Sequence, residues 1–75
     1  MTLDEFVSAF AAEFDETSED QFNAETLFKE LDEWSSLTAL SIISMVDEAY
    51  DKQITGADIR SCSTIKELYN LVESK

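Results

Sequence analysis

The sequence contains no proline and a single glycine, Gly56, in 75 residues. Strands joined by tight turns draw on those two residues for their bends. A chain this poor in them is left with structures whose hydrogen bonds close locally. Ala, Leu and Glu are common, and β-branched runs are few. These observations predict an all-α fold. The length predicts one domain over residues 1–75, burying only ~60% of the surface that the unfolded chain exposes.

The apolar residues repeat at helical spacing. Leu3, Phe6, Val7, Phe10, Ala11 and Phe14 form one stripe, and Thr2 with Glu5 makes a capping box in front of it. The segment "DETSEDQFN", Asp15 to Asn23, is polar and acidic, with Phe22 its one large apolar residue. It reads as a long loop. Leu27, Phe28 and Leu31 suggest a short helical turn or a packed loop segment. A second strong helix is predicted from near Ser35 to about Tyr50. Leu37, Leu40, Ile43, Val46 and Tyr50 are its expected buried stripe, with Ile42 and Ala49 beside them. A short helix over Gly56 to Arg60 follows. The last helix starts at a capping box of Thr64 and Glu67, with Ile65, Leu68, Tyr69 and Val72 facing inward. The expected architecture is a four-helix bundle with a short third helix and a long first loop.

Charge narrows the function. There are 17 acids against 5 bases, a net charge of −12. Nucleic acids and anionic membranes are bound through clustered Lys and Arg, so this balance argues against both. It favours partners with basic patches. Solubility alone asks for less charge than this. Cys62 is the single cysteine. It excludes an internal disulfide and a Cys-based metal site, and it fits a reducing compartment. It reads as a small buried hydrophobe. The start of the chain lacks the basic and apolar regions of a secretory leader. No apolar run has the length of a membrane span. A free-standing cytoplasmic monomer is expected.

Catalytic constellations do not emerge. The chain has no histidine, so a nucleophilic serine would have only lysines as a base, and none lies in an evident apolar pocket. Acids are spread so widely that no pair stands out for acid–base work. A calcium loop beginning at Asp15 has Asp20 at the sixth position, where Gly is required, and Thr26 at the twelfth, where Glu is required. That leaves only loose surface binding of divalent ions. A phosphate-cradling glycine loop is impossible with one glycine. No enzymatic activity and no metal are expected.

The remaining feature is "DEWSSLTALSII", Asp32 to Ile43. Serine is among the best helix N-caps. With Ser35 as the cap, Ser36 is the first helical residue. Leu37 is expected to turn inward and Ser36 outward. A free hydroxyl there stands at the positive end of the helix dipole, which favours a phosphate ester. Two serines at a helix start are also ordinary capping chemistry, and periodicity does not choose between the two.

The segment from Trp34 to about Leu71 resembles the acyl carrier protein family, including peptidyl carrier domains. The family's Asp-Ser-Leu motif reads Ser35-Ser36-Leu37 here, preceded by Trp34 as in one variant of the motif. "LSIISMVDEAY" matches the helix that follows, with Asp47, Glu48 and Tyr50 at its acidic, aromatic end. "DKQIT" and "STIKEL" resemble the next segments without a gap. The family's Asp is replaced by Ser35, and positions often acidic in bacterial fatty-acid members are Thr38 and Ser41. Those departures fit a specialised carrier with dedicated partners.

The resemblance implies 4′-phosphopantetheine on Ser36, with acyl or aminoacyl groups carried as thioesters. The implied partners are a phosphopantetheinyl transferase and the acyl-loading and acyl-processing enzymes of fatty-acid, polyketide or related specialised biosynthesis. Partner contacts are expected from Trp34, Ser35, Leu37, Met45, Asp47 and Glu48, Met45 being equally suited to the core. The alternatives are an acidic protein without a prosthetic group that fits a basic partner surface, and a carrier-shaped regulator that has lost its arm.

Overall fold

Three of the four helices begin with reciprocal capping, in which a Thr side chain and an acid three residues on satisfy each other's backbone N–H. A computed structural model describes residues 2–75. In it, α1 spans Leu3–Ala11, α2 Ser36–Tyr50, α3 Gly56–Arg60 and α4 Ile65–Glu73. The capping boxes are Thr2/Glu5 for α1, Thr55/Asp58 for α3 and Thr64/Glu67 for α4. The first and last agree with the sequence pattern. Two 3₁₀ turns, Glu19–Gln21 and Phe28–Glu30, punctuate the first loop. No strand occurs among the described residues. The all-helical, four-helix architecture is as expected.

The chain closes by packing α1 against α4 and α2, while α3 bridges α2 and α4. Its Cα radius of gyration is 10.9 Å, against about 11 Å expected for a compact domain of this length. Five phenylalanines dominate the interior: Phe6, Phe10, Phe14, Phe22 and Phe28 are all buried. Phe10 is the hub. Its ring lies 5.3 Å from Phe28 edge-on, 5.6 Å from Phe14, and parallel to Trp34 at 6.4 Å.

The α1 stripe needs one correction, because Phe14 lies outside the helix. The last turn tightens, with Glu13 N–H bonded to Phe10 and Phe14 N–H to Ala11. These i→i−3 bonds advance the chain at about three residues per turn. Phe14 therefore swings inward against Phe22, ring centroids 4.9 Å apart.

The long loop is firmly attached. Phe22 anchors its middle. Further on, the Ala24 and Thr26 carbonyls accept the Lys66 and Ile65 N–H groups, at 3.0 and 3.3 Å. Those are amides of the first turn of α4, which have no partner inside their own helix. At the far end of α2, Asp51 adopts the left-handed conformation, φ 55° and ψ 40°. Asp tolerates that region better than most residues, and it turns the chain toward α3. Ile54, Ile59 and Cys62 then enter the core. Burial raises the Cys62 thiol pKa above its ordinary value.

The second correction concerns α2. The expected stripe included Leu37 and Leu40, but these are 75% and 60% exposed. The buried face is Ile42, Met45 and Val46, with Ala39, Ile43 and Tyr50 partly buried beside it. Ala49 is exposed as well. The helix is apolar on much of its circumference, so spacing alone admits two rotations. Packing selects the one that sets the small Ala39 inward, next to a cluster already filled by Phe28 and Trp34.

Charge is poorly compensated in this fold. Among the described residues one ion pair occurs, Lys75 to Asp58 at 3.1 Å. Self-repulsion of a −12 chain is therefore screened by solvent ions rather than by internal pairs. The melting temperature should climb from low to physiological ionic strength, where the Debye length is ~8 Å. A thermal scan across a sodium chloride series measures this, and a flat profile contradicts it.

Candidate functional site

Ser35 is extended, φ −155° and ψ 177°, and accepts the Thr38 N–H on its side chain at 3.3 Å. It is the N-cap, as the sequence indicates. Thr38 answers through its own hydroxyl, which donates to the Glu33 carbonyl at 3.0 Å and lies 3.2 Å from Ser35 Oγ. Ser36 is the first residue of α2 and is exposed. Its hydroxyl takes no part in this capping. The first turn of α2 carries no acid, whereas those of α1, α3 and α4 each carry at least one. The positive end of the α2 dipole is thus left without a side-chain counter-charge.

Trp34 fixes the approach to that helix. It is partly buried, meets Phe28 edge-on at 5.0 Å and lies parallel to Phe10. The hydroxyl pair therefore sits directly on the aromatic core.

The other expected contact residues divide into two groups. Leu37 is on the surface near Ser36, as a contact residue must be, although the inward turn expected of it does not occur. Asp47 and Glu48 are also exposed. They lie about 17 Å further along the helix, at 1.5 Å rise per residue. Met45 is only 8% exposed and belongs mainly to the core. Its large apolar side chain falls on the same face as Ile42 and Val46, the core position that its spacing also allowed. Leu37, Leu40 and Met45 border a shallow hollow whose rim carries Glu13 and Glu48.

Sequence reasoning missed Glu33. One carboxylate oxygen accepts the Asp15 N–H at 2.8 Å, and the other accepts the Glu16 N–H at 3.0 Å and the Thr17 hydroxyl at 2.8 Å. An acid side chain thereby holds an acidic loop, because three donors outweigh the neighbouring like charges. The Thr17 hydroxyl bond is the leading cause that holds the Glu33 pKa below its ordinary value, helped by the backbone donors. Partners 16 to 18 residues away leave no local signal.

A depressed folded pKa places the Glu33 contribution above the usual carboxylate range. The contribution is lost as pH falls through the lower folded value. Glu33→Gln offers one carbonyl oxygen and one NH2 group, so a donor must face a donor. Hydrogen exchange at the Asp15 and Glu16 amides should accelerate at neutral pH, and the acid dependence of that exchange should flatten. Unchanged protection at both amides counts against the clasp.

Sequence reasoning also missed a groove of about 310 Å3 at the start of α2, lined by Lys29, Trp34, Ser36, Ala39, Ile59 and Arg60 among others. Two of the chain's five bases thus border the exposed serine. Lys29 Nζ donates to the Arg60 carbonyl at 2.9 Å.

No group of acids and cysteine among the described residues is arranged to hold a metal ion, and no described helix is long and apolar enough to cross a membrane. Comparison of the chain with protein-family models, curated proteins and solved structures gave no match.

Proposed function

We propose that this chain is an acyl carrier protein, holding 4′-phosphopantetheine as a phosphate ester on Ser36. The observation that carries the reading is the separation of tasks between the two serines. Ser35 is occupied in capping, and Ser36 presents an exposed hydroxyl at the first position of a 15-residue helix. The residues fit the group. A hydroxyl at an uncompensated helix N-terminus, bordered by Lys29 and Arg60, suits a phosphate ester. When bound, the arm supplies a thiol on a flexible tether, on which acyl or aminoacyl groups travel as thioesters.

The chain's own contribution is to hold the attachment point and to be recognised. Trp34, packed on Phe10 and Phe28, keeps the start of α2 in place. Exposed Leu37 and Leu40, with Glu13 and Glu48, border the shallow hollow on α2 and give it an apolar edge with acidic neighbours. That surface suits enzymes presenting apolar side chains among basic ones. By the resemblance, these are a phosphopantetheinyl transferase and the acyl-loading and acyl-processing enzymes of fatty-acid, polyketide or related biosynthesis. The protein then acts in the cytoplasm as a monomer and catalyses nothing itself.

The same surface supports a second reading, an acidic interaction or regulatory protein with no prosthetic group. Intact mass after co-expression with a phosphopantetheinyl transferase of broad specificity separates the two. A gain of one arm is the expected result. Unchanged mass, with the protein folded and the transferase active on a control substrate, favours the interaction protein.

A further inference from the structure

The hollows of this surface differ in charge. Four of them carry at least one acid and no base: Glu16 and Asp32 border one, Glu13 and Glu48 a second, Glu19 a third and Asp47 a fourth. The groove at the start of α2 is the reverse. Lys29 and Arg60 line it together with Ser36, and no acid does. Acids outnumber bases 17 to 5 in the chain, so two cations standing together without a carboxylate are against the odds.

The local structure keeps them that way. Among the described residues the one ion pair is Lys75 to Asp58. Lys29 Nζ donates to a neutral acceptor, the Arg60 carbonyl, at 2.9 Å. A Cβ built at Gly56 would lie 3.3 Å from an Arg60 guanidinium nitrogen, so that side chain lies back against the start of α3, at the groove. The first turn of α2 offers no acid, and its N-cap is the neutral Ser35. Glu67 is within electrostatic reach of Lys29, yet it turns a carboxylate oxygen to the Ser63 and Thr64 N–H groups.

Attraction and repulsion therefore act over different ranges. The net charge of −12 draws basic enzymes from a distance. At contact the nearest charges dominate, because the Debye length is only ~8 Å, and those beside Ser36 are positive. Like charges set against each other across an interface reject wrong partners. We infer that Lys29 and Arg60 are specificity-determining residues for the modification of Ser36: they admit a transferase that places a carboxylate opposite them and slow equally basic ones that do not. This rests on the carrier reading given above. It describes the partner more closely, as an enzyme basic over most of its docking face and acidic where it meets the groove between Ser36 and the end of α3.

The test uses a broad-specificity phosphopantetheinyl transferase chosen for a docking face with bases and no acid around its active site, with coenzyme A as donor. Modification of the unmutated protein, K29E/R60E and K52E/K66E is followed by intact mass. The two variants change the net charge equally, but Lys52 and Lys66 do not line the groove. kcat/KM for K29E/R60E should exceed that of both other proteins by about tenfold. The excess should shrink in ~1 M salt, where the Debye length is ~3 Å. Equal gains in the two variants mean that net charge alone counts; they overturn the specificity role and leave the carrier function standing. A loss of rate in K29E/R60E, or an excess that high salt leaves unchanged, overturns the role in the same way. If K29E/R60E fails to fold, R60Q against K52Q makes the comparison, because the Lys29 bond is to the backbone carbonyl at position 60 and survives the change. No mass gain in any of the proteins, with the transferase active on a control carrier, overturns the carrier reading and the specificity role with it.

Discussion

Ser36→Ala is expected to abolish modification completely while leaving the fold untouched. The residue is exposed at the first position of α2, and its hydroxyl plays no part in the capping bonds of Ser35 and Thr38. Alanine is the best helix former. An exposed substitution of this kind changes stability by no more than about 0.5 kcal/mol. The neighbouring change should behave in the opposite way. Ser35→Ala removes the N-cap and is expected to cost about 1 kcal/mol, while a hydroxyl for attachment remains. The pair therefore separates structure from chemistry at adjacent positions. Intact mass, urea denaturation and peptide mapping of the modified protein measure both. An arm mapped to Ser35 would falsify the assignment.

Phe10→Ala should remove about half of the chain's folding stability. Phe10 has no exposed surface, and its ring is neighbour to those of Phe6, Phe14, Phe22, Phe28 and Trp34, all within 6.4 Å. Truncating a buried Phe costs about 3–5 kcal/mol. A chain of 75 residues has roughly 4–11 kcal/mol in total. Because Phe10 also supports Trp34, the loss reaches the start of α2. Circular dichroism during urea titration should show the midpoint lowered to about half its original denaturant concentration. Phe10→Leu should retain a cooperative transition at an intermediate midpoint. A loss below about 1 kcal/mol for the alanine variant would mean that the aromatic cluster is not the centre of stability.

The parts of this structure that were legible in the sequence are those decided within one turn of chain. Thr2/Glu5 and Thr64/Glu67 announce their helices because both capping partners lie three residues apart. Ser35 as cap and Ser36 as the first helical residue follow from the same local chemistry. The expected stripe of α2 does not describe one face. The steps of three from Leu37 through Leu40 and Ile43 to Val46 drift half a turn round the helix, so Leu37 and Val46 lie on opposite faces, whereas Ala39, Ile42 and Val46 keep to the buried one. Glu33 and the Lys29–Arg60 groove were hidden for a different reason. Their partners lie 16 to 31 residues away, so they exist only once the first loop has folded back over the bundle.

The burial of Cys62 gives the protein a silent background for sulfur chemistry. The side chain is 4% exposed, and burial keeps its proton on at neutral pH. Because the thiolate is the reacting species, the native chain should be almost inert toward a maleimide and become reactive only when denatured. The terminal thiol of an arm on Ser36 has no such shelter. Maleimide uptake by the folded protein therefore counts unloaded arms, and an acyl group held as a thioester blocks that uptake. The further uptake gained after hydroxylamine has cleaved the thioester counts the loaded arms, without replacing the cysteine that the core uses for packing.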